Sequence, residues 1–429
     1  MVVPNLAVRA LVREWAAEHG VELPAPSAAM QGRLGRVDSS AIRAPAGSAV
    51  ASAQERRGAR QHQMQTLLQR VRTQTQRIGH GQEHTPPQRG TLGAVDGVGT
   101  DVDEWYDRPP NTLPNTHMDE VWALLCYQGR LFSGSKDTNV HVWDGSTLEL
   151  LGVMRGHSGS VLALAGVNGR VFSGAYDGTV RVWNADTLQH LKTLEGHTDA
   201  VRGLAVCGTR VFSASYDTTV CCWHADTLVC EGVMSDHTDA VRDLAVCPER
   251  GLVFSASYDS TVRAWDAGTF ELKKTLLGHT AMVRALEFAG GRLFSGSDDF
   301  TVRAWDVDSL EPLGEMTGHT DMVRVLASRG EQLFSGSWDF SVRVWDTRSL
   351  SCLAVLQGHC DMVLALVGCP GLLFSGSYDA CVRVWDTRDW RCVRVLHGHE
   401  DAVRVLALSD RDDRLFSGSY DAAVLSWDV

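Results

Sequence analysis

From residue 117 onward, apolar and polar positions alternate in short runs broken by Gly, Ser and Asp, and the same run keeps returning. A representative copy is Phe374–Asp386, FSGSYDACVRVWD, in which Val382 and Val384 alternate with polar neighbours before Trp385. Alternation with a period of two marks a strand with one buried side, and the Tyr-Asp pair between the apolar runs reads as a turn. In the unit that ends at Trp345 the pattern predicts four strands. These are a near Met322–Leu326, b at Gln332–Gly336, c at Ser341–Trp345 and d near Cys352–Leu356. Two units carry extra residues between a and b, at Pro248–Gly251 and Ser409–Asp413. A surface hairpin tolerates such insertions where an inner strand does not.

Each unit sits behind a histidine: His117, His157, His197, His237, His279, His319, His359 and His399, spaced by 40, 40, 40, 42, 40, 40 and 40 residues. Each closes on a tryptophan, the first being Trp143 and the last Trp427. A fixed period near 40 means that one supersecondary unit is stacked on copies of itself. Gly-His followed by Trp-Asp at this period resembles the WD40 repeat family, over roughly residues 100–429. The resemblance implies an all-β fold, a β-propeller of four-stranded blades across 104–429. Eight blades are expected, and seven if the first or last unit is irregular. An open ring would leave an unpaired strand edge. Val429 follows strand c of the last unit directly, so the missing outer strand is expected from within Asp101–Thr116. The prolines there, Pro109, Pro110 and Pro114, are tolerable because strand d is an outer edge.

The first hundred residues have another character. Within 1–26, Leu6, Val8, Leu11, Val12 and Trp15 recur at mostly three- and four-residue steps, one face of a short helix that starts after Pro4-Asn5 and ends at Gly20. This text resembles the C-terminal third of a U-box, the zinc-free relative of RING domains that recruits ubiquitin-conjugating enzymes. The resemblance places Pro4 in the second recruiting loop. The first two-thirds of a U-box, with the other recruiting loop, are absent from this text. Residues 27–49 are rich in Ala, Ser, Gly and Pro and read as a disordered linker. Within 50–78, Met64, Leu67, Leu68, Val71 and Ile78 form an apolar stripe among six arginines, a basic amphipathic helix that is either solvated alone or self-associating. Residues 79–103 are Gly-rich linker.

The formal net charge of −12 is unevenly placed. Residues 1–100 hold 12 Lys+Arg against 7 Asp+Glu, whereas 101–429 hold 28 against 45. An acidic propeller argues against nucleic acid, whose affinity comes from neutralised phosphates. The 11 cysteines include no CxxC pair and fall mostly in strand-like text, so they read as buried thiols rather than zinc ligands. No apolar run reaches a membrane span and no signal peptide opens the chain, which points to an intracellular, cytoplasmic or nuclear protein. Neither a metal nor a cofactor is expected.

Every unit supplies a His, a Ser and an Asp, for example His319, Ser335 and Asp339. A hydrolytic triad is needed once, beside an oxyanion hole and a cleft, whereas this set is copied per unit together with a tryptophan such as Trp345. The family resemblance implies a buried hydrogen-bonded chain instead, and the chemistry suits it. Imidazole accepts at one nitrogen and donates at the other, and a buried indole N–H needs an acceptor.

The resemblance also implies that the d–a and b–c loops open onto one face where partners dock. The residue after Val in the GHxxxV text gives one series: Trp122, Leu162, Arg202, Arg242, Arg284, Arg324, Leu364 and Arg404. The residue before the turn Asp gives the second: Lys136, Tyr176, Tyr216, Tyr258, Asp298, Trp338, Tyr378 and Tyr420. Arginines and aromatics together have the composition of a binding hot spot, with Met282, Met322 and Met362 adding an adaptable apolar patch. In WD40 substrate receptors of F-box ubiquitin ligases, arginines at such positions hold phosphorylated segments, which makes an acidic or phosphorylated peptide the expected ligand. Asp199, Asp239, Asp321 and Asp401, three residues before four of the arginines, are expected to neutralise them. Arg284, with Ala281 at that place, is expected to be the most available. Two functions follow. One is the substrate-recognition part of a U-box-type ubiquitin ligase, with a ubiquitin-conjugating enzyme as further partner. The other is a non-enzymatic interaction scaffold.

Overall fold

The computed structural model describes residues 110–113, 117–410 and 413–429. The segments 1–26, 27–49, 50–78 and 79–103, and with them Pro4, lie outside the described residues.

Eight four-stranded antiparallel sheets follow one another, so the ring has eight blades and not seven. Seven are consecutive meanders. In blade 6 strand a is Val323–Arg329, b Gln332–Ser337, c Val342–Asp346 and d Cys352–Leu356, within a few residues of the sequence expectation. The eighth sheet takes strands a to c from Val403–Leu408, Arg414–Ser419 and Val424–Asp428, and its outer strand from Asn111–Thr112. Asn111 pairs with Ser426 and Thr112 with Leu425, and Leu113 N–H donates to Val424 O at 3.1 Å. The strand that closes the ring therefore comes from the N-terminal side, where the sequence placed it. Blade 8 also grips blade 1 directly, through Asp410 Oδ2 accepting from Gly129 N–H at 2.7 Å and Arg414 donating to Ser146 O at 3.1 Å. The insertion at Pro248–Gly251 forms a single 3-10 turn between strands a and b, closed by Gly251 at a positive φ of 61°.

Strand b is the most deeply buried element of each blade because both of its faces are covered. Phe334 and its seven counterparts are at most 2% exposed. Two residues on stands a glycine or alanine against the next blade. A Cβ on Gly336 would lie 2.7 Å from Val363 Cγ1, and the same clash recurs at Gly134, Gly174 and Gly376 against Val161, Val201 and Val403. Small residues there set how closely blades approach. The core is thus a chain of inter-blade clusters rather than one central mass, each with a strand-c tryptophan such as Trp345 packed on the preceding blade's aliphatic side chains. Strand a of each blade lies innermost and packs on strand a of the next, so whatever the a strands carry at their ends gathers around the axis.

Candidate functional site

Eight near-identical turns organise the face where the d–a and b–c loops meet. In blade 6, His319 Nδ1 lies 2.7 Å from Asp339 Oδ2 and its Nε2 lies 2.7 Å from Ser335 Oγ, which also accepts from Trp345 Nε1 at 2.8 Å. The His–Asp and His–Ser pairs recur in all eight blades, and the Trp→Ser bond is described in seven. The carboxylate also holds the turn. Asp339 accepts from Thr320 N–H at 3.0 Å and from Ser341 N–H at 2.9 Å. Burial opposes its charge, but the bonds from His319, Ser341 and Thr320 outweigh it and hold Asp339 well below the usual carboxylate range. Ser335 is fully buried and spends its oxygen on two partners, so it has no exposed nucleophile to offer.

The same turns bring the two series of loop residues together. The N–H of each residue before the turn Asp donates to the carbonyl two residues before its partner in the first series: Tyr216 to Ala200 O at 3.0 Å, Tyr258 to Ala240 O at 2.9 Å, Trp338 to Met322 O at 3.0 Å, Tyr378 to Met362 O at 2.9 Å and Tyr420 to Ala402 O at 3.1 Å. Tyr176 N–H makes the same bond to Ser160 O at 2.8 Å, but its side chain is 61% exposed and stands outside the cluster. Around the axis, Trp122 lies between two guanidiniums, Arg404 at 5.3 Å and Arg202 at 6.0 Å from its ring, within cation–π reach. Trp122 also packs on Tyr420 at 5.5 Å, Tyr420 on Tyr378 at 5.8 Å, and Tyr216 on Tyr258 at 6.0 Å. The buried indole nitrogens of Trp122 and Trp338 have no acceptor.

The charge distribution differs from the sequence expectation in two respects. Arg284 is not the available arginine: Asp298, from the second series of the same blade, takes both its Nε and its Nη2, the latter at 2.6 Å. Nor do the aspartates three residues upstream neutralise the others. Asp199, Asp239, Asp321 and Asp401 each accept from the next backbone N–H, at 2.6–2.8 Å. Among the described residues, Arg284 is the one arginine of this ring in an ion pair. Arg202, Arg242, Arg324 and Arg404 are left facing one another. Burial, then Arg242 and Arg404, bring Arg202 down to about 9. Burial, then Arg242, Arg404 and Arg202, pull Arg324 well below the usual guanidinium range, and burial lowers Arg404 too. A guanidinium keeps its proton in proteins, so the cost remains as crowded positive charge that an anion would relieve. Tyr216, despite burial, is lowered by Arg242 and Arg202, whereas burial and Tyr420 raise Tyr378. Leu162 in blade 2 and Leu364 in blade 7, both buried, complete the ring, and Lys136 is paired with Glu120 at 3.2 Å.

None of the 11 cysteines, all among the described residues, is in a disulfide; four are buried and three exposed. No described helix is long and apolar enough to cross a membrane.

Comparison with known proteins agrees with this geometry. The family described as "WD domain, G-beta repeat" matches residues 108–144, 148–184, 188–224, 228–266, 270–306, 310–346, 350–386 and 390–428. Among solved structures, the chain is similar to the computationally designed Ika8 protein, with 32% identity and a TM-score of 0.69 over 73% of this chain and 98% of that one. No curated protein matches.

Proposed function

Because the chain belongs to the WD40 repeat family, whose propellers serve protein–protein interaction, we propose that it is a recognition module whose axial face holds an acidic or phosphorylated segment of a partner protein. One observation carries this reading. Arg202, Arg242, Arg324 and Arg404 crowd together with no ion-pair partner among the described residues, the buried Asp243 acting on Arg242 and Arg202 only from a distance, while Trp122 holds an unpaired indole donor beside Arg202 and Arg404. Crowded guanidiniums are costly alone and favourable around phosphate or carboxylate, which they bind in two-point fashion. The flanking aromatics and Leu162 and Leu364 supply apolar contact for the rest of a peptide.

The test is an array of short acidic, phosphoserine-containing and neutral peptides probed with the propeller and with Arg202→Gln plus Arg324→Gln. Binding confined to the anionic peptides, weakened at least tenfold in the variant and falling with added salt, supports the reading. Equal binding of neutral peptides, or no effect of the double substitution, rejects it.

A finer reading rests on the N-terminal text. Pro4-Asn5 followed by the apolar stripe Leu6, Val8, Leu11, Val12 and Trp15, with its resemblance to the C-terminal third of a U-box, favours the substrate-recognition part of a U-box-type ubiquitin ligase over a plain scaffold. Ubiquitin-chain formation with a conjugating enzyme by a product that carries a complete U-box ahead of this text, lost on Pro4→Ala, supports it. A chain that captures its partner without building ubiquitin chains is a scaffold.

A further inference from the structure

In a chain built of eight copies, each position has its own internal counterparts, so departures from the shared residue stand out. Three departures with thiol or imidazole chemistry fall in blade 7 and the loop that leaves it. Cys360 follows the network histidine, where four other units carry threonine. Cys381 lies two residues after the network aspartate, where four other units again carry threonine. His397 lies two residues before His399, and no other unit has a histidine at that place.

The fold brings these three together. The N–H groups of Cys360 and Cys381 donate to the two oxygens of one carboxylate, Asp379 Oδ2 and Oδ1, each at 3.0 Å. Cys381 Sγ lies 3.3 Å from His397 Nδ1. Cys360 is exposed, its Sγ 3.9 Å from Gly358 O, and Cys381 is half-buried. The network gains little from these thiols. In blade 5 the residue matching Cys381 is Thr301, whose hydroxyl donates to Asp299 at 2.7 Å, and a thiol is the weaker donor.

We propose that Cys360 and Cys381 form a peroxide-sensitive thiol pair that closes to a disulfide, with His397 as the base of the closing step. In the first step the Cys360 thiolate attacks a peroxide oxygen. An S–O bond forms, the O–O bond breaks, and the leaving oxygen takes a proton, giving Cys360 sulfenic acid. In the second, Cys381 passes its proton to His397 as its sulfur attacks Cys360 Sγ. The S–S bond forms, the S–O bond breaks, and the departing hydroxide takes up that proton as water. Overall the two thiols lose two electrons and one peroxide is reduced.

His397 is needed because burial, reinforced by Asp379, pushes the Cys381 thiol up to about 11, leaving little thiolate near neutrality. A disulfide asks for Cα atoms about 4.4–6.8 Å apart, and Cys360 is among the groups close enough to act electrostatically on the Cys381 thiol. Closure asks the exposed Cys360 side chain to turn from Gly358 O and the Cys381 sulfur to turn from His397 Nδ1, both side-chain rotations. The bridge ties the loop that enters blade 7, between Leu356 and Val363, to the b–c turn of that blade, beside Tyr378 and Met362 of the axial face.

The test treats the reduced full chain with hydrogen peroxide, alkylates free thiols and maps peptides without reductant. A linked pair of peptides containing Cys360 and Cys381, reversed by dithiothreitol, is expected. Cys381→Thr, which restores the residue of four other blades, is expected to fold and to stop at a dimedone-trappable sulfenic acid on Cys360. His397→Asn is expected to accumulate that sulfenic acid and close at least tenfold more slowly at unchanged Tm. Separate alkylation of both cysteines after peroxide, or bridging of Cys360 to another cysteine or a second chain, overturns the proposal. Equal closure rates in His397→Asn overturn the role of the imidazole.

Discussion

Arg284 and Asp298 share two hydrogen bonds within blade 5, with the guanidinium 18% and the carboxylate 9% exposed. Arg284 also lies 5.3 Å from the Tyr258 ring and donates to its hydroxyl at 3.3 Å, so the pair is fixed on three sides. Asp298 thereby removes one of five arginine charges from the site. Asp298→Asn keeps the shape and releases that charge, so affinity for an acidic peptide is expected to rise several-fold. Arg284→Gln is expected to leave it nearly unchanged, whereas Arg324→Gln lowers it. Titration of one labelled peptide against the three variants checks this. The opposite order for Arg284 and Arg324 would mean that Asp298 gives way when ligand arrives.

Asp339→Ala removes the acceptor of His319 and of two turn N–H groups at once. Unpaired buried donors cost about 1–3 kcal/mol, and a lower thermal midpoint of that order is expected. The pH dependence has a definite sign. The native Asp339 carboxylate resists protonation more than the unfolded one, so its contribution is present above the ordinary carboxylate range and is lost as pH falls below it. Asp137, Asp177, Asp217, Asp259 and Asp299 are lowered in the same way, so the losses accumulate. Urea unfolding midpoints measured at descending pH are expected to drop steeply from about pH 4 downward. A flat profile there would show that the eight histidine–aspartate pairs do not stabilise the ring.

Glu287 behaves in the opposite sense. Burial, with Asp243 nearby, raises it to about 7 even though Ser328 donates to its Oε1 at 2.7 Å. A carboxyl raised on folding stabilises while protonated, so that part of the stability is complete below the ordinary carboxylate range and is lost as pH rises through about 7. Glu287→Gln is expected to stabilise the protein at pH 8 relative to wild type, by on the order of 2–3 kcal/mol, and to change little at pH 5. Thermal midpoints of both proteins at the two pH values decide it. Equal differences at both values would remove ionisation as the cause.

The ring was legible because its determinants are local and repeated. A histidine, a turn aspartate and a tryptophan recur in each unit, and period-two alternation marks the strands between them. Even the closing strand could be placed, since an open edge has to be covered. The electrostatics of the axial face were less legible, because spacing along one loop does not say which way a carboxylate turns. Asp199 and its counterparts look like partners for arginines three residues on, yet each turns to the adjacent backbone N–H. Asp298 was visible as the single acid in a series otherwise of Lys, Tyr and Trp, and that oddity was the available signal for its pairing with Arg284. Cys360, Cys381 and His397 could have been found by the same comparison of units. Scattered over 38 positions of text, they become neighbours only through the turn at Asp379.

Ring closure rests on very few residues, which makes it the most exposed joint of the fold. Asn111 and Thr112 supply the outer strand, and Leu113, 1% exposed, inserts among Val121, Leu131, Trp143, Phe416 and Val424, which come from blades 1 and 8. Leu113→Ala is expected to cost about 2–5 kcal/mol, as for other buried leucines, although the residue lies in a short segment outside any long element. Replacing residues 108–113 with a Gly-Ser segment goes further, baring the edge of Val424–Asp428, which can then pair with another chain. Light scattering is expected to show concentration-dependent association of that variant, suppressed by a synthetic peptide spanning residues 108–116. Association without suppression would place the sticky surface elsewhere. A monomeric variant of native stability would mean that the seven complete blades hold the ring shut without the borrowed strand.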